Sequence, residues 1–128
     1  MSVCFSFREA RSVRHLSYNN LKDWAEELGI RLPIVPSRCE NIYHMFYILL
    51  PSLEQRQALI AHLGAKSILA VFHYLPLHLS DRGRRFGGRP GECPVMEDVS
   101  DYLLRLPFYN SLTEDEQKSV VIAIREVR

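Results

Sequence analysis

The chain has 128 residues, of which 47% are hydrophobic and 24% are charged, and this is enough to bury the core of one domain. Its formal net charge of +1 excludes a protein that attracts nucleic acid through an overall positive field, and it also excludes an acidic tail protein. Any charged ligand must therefore be bound by a local group of side chains.

The first part of the chain predicts a helix, a connector and a strand. In 17–30 the apolar residues follow the i, i+3, i+4, i+7 spacing of a one-faced helix that ends at Gly29: Leu21, Trp24, Ala25 and Leu28. Two prolines make 31–41 an irregular connector. Residues 42–50, IYHMFYILL, are apolar on both faces and rich in aromatic and branched side chains, which predicts a central strand.

A second helix and a second strand follow. Ser52 and Gln55 have capping-box spacing at the start of the predicted helix in 51–67. Residues 68–74, ILAVFHY, predict the second strand. The glycine-rich and arginine-rich segment 75–93 is predicted not to be regular throughout.

The last part of the chain predicts two further helices. In 94–107 a helix is predicted to run to about Leu104, with one apolar face formed by Val95, Val99, Tyr102, Leu103 and Leu106. The end of this segment, LRLP, is also interpreted as a short strand. Thr113 and Glu116 form a capping-box pair at the start of the final helix, 113–127, whose buried stripe is Val120, Val121, Ile124 and Val127.

This order of elements predicts an α+β fold with a two- or three-stranded sheet and about four helices. The two main strands are joined through a helix, so a right-handed split crossover is expected, with the short strand between or beside them. No later element covers the second face of 42–50. A partner surface or a further domain is therefore expected there.

The clearest candidate site is the strand end FHYLPLH, residues 72–78. His73, Tyr74 and His78 offer several hydrogen-bonding groups in a small space, as ligand-binding strand ends often do. The alternative is that these side chains only satisfy backbone groups at the rim of the core. The usual metal-ligand spacings are absent, which argues against a metal site. His44 either packs within its strand or joins the site.

A cluster of arginines with one aromatic residue follows, in SDRGRRFGGRP: Arg82, Arg84, Arg85, Arg89 and Phe86. Such residues can bind phosphate and stack on a base, so RNA binding is one interpretation. A single arginine-rich stretch in a nearly neutral chain more often forms a solvated loop or the edge of an anion-binding site. No catalytic triad signature, lysine-containing phosphate loop or dinucleotide-binding loop is found in the sequence.

Cysteine usage and hydropathy bear on the cellular location. Cys4, Cys39 and Cys93 are odd in number and widely spaced, which predicts neither a disulfide framework nor a zinc site and favours the cytoplasm. No apolar stretch approaches the roughly 20 residues that cross a bilayer, so no membrane partner is predicted. Residues 1–16 are interpreted as an N-terminal extension rather than a targeting segment.

Four ordered segments resemble a known enzyme family: HMFYILL, RQALIAHL, ILAVFHYLPLHLS and CPVMEDVSDYLLRLPFYNSLTEDEQKSVVIAI. Together they are similar to the C-terminal part of the DegT/DnrJ/StrS-type sugar aminotransferases, most closely the dTDP-4-amino-4,6-dideoxygalactose transaminase branch. The resemblance implies that 17–128 form the small C-terminal domain of an enzyme with the aspartate-aminotransferase fold, or fold type I. Residues 1–16 would precede this domain as an extension that need not be ordered.

The resemblance also implies a chemistry. The family transfers an amino group from glutamate to a dTDP-4-oxo-6-deoxy sugar, using pyridoxal 5'-phosphate bound to a lysine of a large domain. That lysine motif is not found here, and none of Lys22, Lys66 and Lys118 is predicted to replace it. The chain alone is therefore expected to bind no cofactor and to be inactive.

The family segments that face the nucleotide sugar match His44, Tyr74 and His78 in this chain, and these residues are the implied substrate contacts. Arg84 or Arg85 is a weaker candidate. The implied partners are a nucleotide sugar and either a large domain or further copies in a homo-oligomer, without nucleic acid or membrane. Two alternatives remain open: a stand-alone protein-interaction module and a small RNA-binding protein.

Overall fold

The computed structural model describes residues 19–39, 44–109 and 111–127. Within these ranges the chain forms five α-helices, one 3-10 turn and three strands: α1 (19–27), β1 (Phe46–Leu49), α2 (Leu53–Ala65), β2 (Val71–Phe72), the 3-10 turn Leu77–Leu79, α3 (Asp81–Arg85), α4 (Pro94–Tyr102), β3 (Leu103–Leu106) and α5 (Glu114–Arg125). The predicted extension, 1–16, lies outside the described residues. The element content confirms the predicted α+β class.

The sheet has the strand order β1-β3-β2, and β3 pairs antiparallel with both neighbours. β1 and β2 therefore run parallel to each other with β3 between them, which is the split arrangement expected when a helix joins two strands. The strand predicted to be central, 42–50, is instead a neighbour of the middle strand. The connector reaches the other edge of β1, where Arg31 and Leu49 exchange two backbone hydrogen bonds of 2.9 Å.

One apolar core joins the sheet to α1, α2 and α5. Its largest fully buried side chains are Phe46, Leu21, Ile48, Leu59, Leu63, Leu104 and Ile124. Nε1 of Trp24 donates to the carbonyl oxygen of Val127 at 3.0 Å, which joins α1 to the residues just after α5. Burial of Leu21, Trp24 and Ala25 confirms the predicted apolar face of α1. Gly29, with φ 67°, occupies the left-handed region that ends this helix.

Both predicted N-cap residues cap their helices, and the reciprocal capping box is formed at α5. Oγ1 of Thr113 accepts from the backbone N–H of Glu116 at 3.2 Å, and Oε2 of Glu116 accepts from the N–H of Thr113 at 2.8 Å, which confirms the capping box of α5. At α2 the side chain of Ser52 accepts from the N–H of Gln55 at 3.2 Å. The predicted buried stripe of α5 is also confirmed, since Val121 and Ile124 are buried.

Two predicted boundaries are wrong, and one predicted loop contains a short helix. The second strand, predicted over 68–74, pairs only at Val71–Phe72. It cannot continue to Tyr74, because the residue opposite Tyr74 in this register is Tyr102, which is helical. The third helix ends at Tyr102 rather than near Leu104, so Leu103 and Leu106 are buried through the sheet, while Val95 is exposed. The segment 75–93 contains α3, whose start is capped by the Ser80 hydroxyl accepting from the Gly83 N–H at 3.1 Å.

Candidate functional site

The predicted strand-end site lies at the surface, directly beyond β2. Tyr74 is 76% exposed and Phe72 is 51% exposed. The Tyr74 ring meets the His73 ring edge-on, with centroids 4.9 Å apart. His73 is partly buried, and its Nδ1 has no hydrogen-bond partner. Tyr74 is therefore open to a ligand, whereas His73 mainly packs.

His78 is held by a carboxylate that sequence reasoning did not identify. Its Nε2 lies 2.8 Å from Oε1 of Glu97 in α4, and the two side chains are only 14% and 21% exposed. Glu97 also accepts from the backbone N–H groups of Gly91, at 2.9 Å, and Cys93, at 3.3 Å. Hydrogen bonds from His78 and then from Gly91 hold the pKa of Glu97 below its ordinary value. Glu97 therefore fastens both His78 and the loop before α4.

Acid should loosen the loop that Glu97 holds. Because its pKa is lower in the folded state, the stabilisation is complete above the ordinary glutamate pKa and is lost as the pH falls through the lowered folded value. We expect the Gly91 amide to lose protection in that acid range, measured by NMR hydrogen exchange after correction for the intrinsic rate.

Glu97→Gln should reduce the protection of Gly91 already at neutral pH. The matched control is Glu116→Gln, since the pKa of Glu116 is also lowered, but by bonds to Thr113 in a different part of the fold. This control should leave the hydrogen-exchange protection of the Gly91 amide unchanged. Protection of the wild-type Gly91 that stays constant through the acid range would contradict the role given to Glu97.

An arginine patch follows the His78 turn and consists of four exposed side chains: Arg82, Arg84, Arg85 and Arg89. Nε of Arg84 donates to the carbonyl oxygen of Leu79 at 3.0 Å. Among the described residues, none of the four forms an ion pair with a carboxylate. The patch is thus an uncompensated group of bidentate donors, which suits an anionic ligand such as a phosphate.

His44 does not lie near the other two predicted site residues. It is exposed and precedes β1, whereas Tyr74 follows β2. β1 begins at Phe46 opposite Leu106, and β2 ends at Phe72 opposite Leu104, so His44 and Tyr74 leave the sheet toward opposite ends of β3. The chain therefore brings together Tyr74 and His78, but not His44.

The residues of this chain do not fit the lysine-bound cofactor that the resemblance implies. All three lysines are exposed. Nζ of Lys66 lies 2.6 Å from Oε2 of Glu126, and Nζ of Lys118 lies 3.6 Å from Oδ1 of Asp115, while Lys22 is on the solvent side of α1. A Schiff-base lysine needs a sheltered position beside its cofactor. None of the three meets this requirement.

The described residues contain neither a membrane-spanning helix nor a cluster of metal ligands. Within 19–39, 44–109 and 111–127, no helix is long and apolar enough to cross a membrane. The same ranges contain no cluster of three or more histidine, cysteine or acidic side chains that could hold a metal ion. The two cysteines that the structure describes, Cys39 and Cys93, are free and exposed.

Comparison with known proteins gives a consistent result. A family model described as the DegT/DnrJ/EryC1/StrS aminotransferase family matches residues 6–125. The dTDP-3-amino-3,4,6-trideoxy-alpha-D-glucose transaminase of Micromonospora megalomicea subsp. nigra is 30% identical over 119 residues, which are 91% of this chain and 31% of that protein.

Two solved structures share the fold of the chain. DesV of S. venezuelae, determined in complex with a ketimine intermediate, is 27% identical and has a TM-score of 0.81 over 92% of this chain and 30% of its own. The PLP form of Spr1654 from Streptococcus pneumoniae is 18% identical and has a TM-score of 0.82 over 94% of this chain and 30% of its own. The chain thus spans less than a third of the length of each of these relatives.

Proposed function

The chain belongs to the DegT/DnrJ/EryC1/StrS aminotransferase family, and from this we propose that its residues form the small, substrate-facing domain of a nucleotide-sugar aminotransferase. The whole enzyme would transfer an amino group from glutamate to a dTDP-4-oxo-6-deoxy sugar. Pyridoxal 5'-phosphate would carry that amino group, bound by protein outside these residues. The 128-residue chain by itself would not catalyse the transfer, because none of its lysines lies in a sheltered site.

The observation that carries this proposal is the exposed polar rim beyond β2. Tyr74 offers a hydroxyl group to solvent, and the arginine patch lies just after the His78 turn with no carboxylate partner among the described residues. A hydroxyl suits the hydroxyl groups of a sugar, and guanidinium groups suit the oxygens of a diphosphate. His78 would act mainly by fixing the turn, since its Nε2 is already bonded to Glu97.

The chain between Phe72 and Met96 exposes six apolar side chains, which we call the apolar surface and which support a partner for the domain. Each of them is more than 50% exposed: Phe72, Leu75, Leu77, Phe86, Val95 and Met96. Clusters of exposed apolar residues mark interaction surfaces in soluble proteins. We propose that this surface is covered by the remainder of the aminotransferase or by another copy of it, in the cytoplasm.

The test is an NMR titration of the 128-residue chain with dTDP-glucose. We expect weak binding, with a dissociation constant on the order of 1 mM, because only exposed hydrogen bonds and ion pairs contribute. The shifts should be confined to 74–89. Replacing Arg84 and Arg85 together with glutamine should weaken binding at least about threefold, whereas the control Arg125→Gln, on α5, should not.

Other outcomes separate the alternatives. Absence of shifts in 74–89 at several millimolar dTDP-glucose would sink the proposed contact surface. A concentration-dependent dimer with no affinity for the nucleotide sugar would instead favour a protein-interaction module. Tight, strongly salt-dependent binding of RNA that needs Arg82, Arg84 and Arg85 would favour an RNA-binding protein. A lysine-bound, glutamate-responsive chromophore after addition of pyridoxal phosphate would contradict the proposed inactivity.

A further inference from the structure

Arg56 is a buried arginine in α2 that lies outside the residues of the proposed contact surface. It is only 6% exposed, and no described carboxylate pairs with it. Its Nε is buried without a hydrogen-bond partner. A charged side chain in such a position costs free energy unless other groups compensate it. An apolar side chain at this position would avoid that cost, so other interactions must stabilise the guanidinium group of Arg56.

The compensation comes from the end of α4 and from an aromatic ring. Nη1 of Arg56 donates to the backbone carbonyl oxygen of Ser100 at 2.7 Å. Ser100 lies in the last turn of α4, where carbonyl groups lack intrahelical partners and the helix dipole is negative. The guanidinium carbon also lies 5.6 Å from the centre of the Phe72 ring in β2. Arg56 thus joins α2 to the C-terminal end of α4 and to β2.

The same helix holds the strand-end turn at two points. The hydroxyl of Ser100 donates to the carbonyl oxygen of Tyr74 at 3.3 Å, and one turn earlier Glu97 binds His78 at 2.8 Å. Residues three apart lie on one face of a helix, so both bonds leave the same side of α4. Helix α4 therefore contacts the turn at both Tyr74 and His78.

We propose that Arg56 is a positioning residue, which fixes α4 through Ser100 and thereby fixes the turn that presents Tyr74 and His78. Its importance for a ligand rests on the proposed function, but the positioning itself does not. The side chain acts at a distance: it bonds the backbone at Ser100, and the Ser100 hydroxyl bonds the backbone at Tyr74. Without the hydrogen bond from Arg56 to Ser100, α4 and the turn should still fold, but the distance between them should be less well defined.

The test compares Arg56→Met with Arg56→Lys. Methionine fills a similar volume without a charge, and apolar replacements of buried charges are often neutral for stability, so the variant should fold. We expect Arg56→Met to speed hydrogen exchange at the amides of Leu79 and Ser80 about tenfold, since these amides form the backbone bonds of the 3-10 turn. Lysine can still donate to Ser100 and should restore most of the protection. Ser100→Ala removes only the hydroxyl bond to Tyr74, so it should speed the exchange of the same two amides by a smaller factor.

Gln117→Met is the matched control, because Gln117 is also a buried polar side chain, 4% exposed, with an unpartnered buried atom, but it lies on α5. When variants of equal free energy of unfolding are compared, Gln117→Met should leave hydrogen exchange at the amides of Leu79 and Ser80 unchanged. If Arg56→Met and Gln117→Met change these amides equally, the role of Arg56 is only structural and the inference is wrong.

The titration with dTDP-glucose separates this inference from the proposed function. If the wild type binds, Arg56→Met should weaken its affinity about three- to tenfold, and Arg56→Lys should restore it. If the wild type does not bind but the amides of Leu79 and Ser80 respond as expected, the proposed function fails and the positioning role stands. Binding that is unchanged in Arg56→Met, together with unchanged exchange, would overturn the positioning role alone.

Discussion

Alanine at Gly83 or Gly88 is expected to disrupt the His78 turn and to lower the free energy of unfolding by about 1–3 kcal/mol or more. A Cβ at Gly83 would lie 2.8 Å from Cα of His78, and a Cβ at Gly88 would lie 2.9 Å from its carbonyl carbon. Each would come closer still to a backbone carbonyl oxygen, of Leu77 or His78 respectively. These are backbone atoms, so no side-chain rotation can relieve the overlap.

The two glycines also form the hydrogen bonds that close the turn. The carbonyl oxygen of Gly83 accepts from the N–H groups of Phe86 and Gly88, both at 3.0 Å. Moving either glycine away from His78 therefore strains the α3 end and the His78–Glu97 contact at once. We expect the ring signals of His78 to shift and the dTDP-glucose titration to weaken in both variants. Chemical denaturation and NMR of the His78 ring measure the two effects.

Gly64→Ala is the matched control. Gly64 lies in α2, and a Cβ there would meet no atom within 4 Å. Alanine is favoured over glycine in a helix interior, so this variant should gain about 0.5–1 kcal/mol. Wild-type stability and an unmoved His78 ring in Gly83→Ala and Gly88→Ala would refute the close packing described for this turn.

Leu104→Ala should cause the largest loss of stability, about 2–5 kcal/mol. Leu104 is fully buried in the middle strand β3, where it stands opposite Ile48 of β1 and Phe72 of β2. Truncation removes contacts with both neighbouring strands on the same face of the sheet and leaves a cavity between them. Domains of this size are stable by only about 5–15 kcal/mol, so the loss is a large share of the total.

Equilibrium denaturation with urea measures the Leu104→Ala effect. Ile122→Ala is the comparison, because Ile122 lies on α5 and is 62% exposed. A substitution of that kind should change the free energy of unfolding by no more than about 0.5 kcal/mol. If the two variants differ by less than about 1 kcal/mol, β3 is not the centre of the core.

The helices could be predicted from the sequence because their signals are local. The apolar spacing of α1 and the capping box of Thr113 with Glu116 involve residues that are at most a few positions apart. The helix between the two main strands likewise predicted a split arrangement of strands. Turn residues also indicated that Tyr74 and His78 lie at a strand end, which the structure confirms as a surface turn.

The surroundings of the candidate site could not be predicted in this way. His78 bonds Glu97 across 19 positions, Tyr74 bonds Ser100 across 26, and Arg56 bonds Ser100 across 44. An arginine in an amphipathic helix ordinarily lies at the surface, so nothing in its neighbourhood marks Arg56 as buried. The short strand at LRLP was indicated by the sequence, but the change from helix to strand falls at Leu103, inside the helix that was predicted to run to about Leu104.

The sequence by itself therefore determined the α+β class, the positions of the main helices, the family resemblance and the presence of a polar turn after the second strand. Only the tertiary structure decided that β3 lies between β1 and β2, that His44 stands apart from Tyr74, and that α4 fixes both Tyr74 and His78. The physical reason is the range of the interactions. Helix periodicity and caps depend on residues within one or two turns, whereas strand order and buried contacts depend on which distant segments bury apolar surface together.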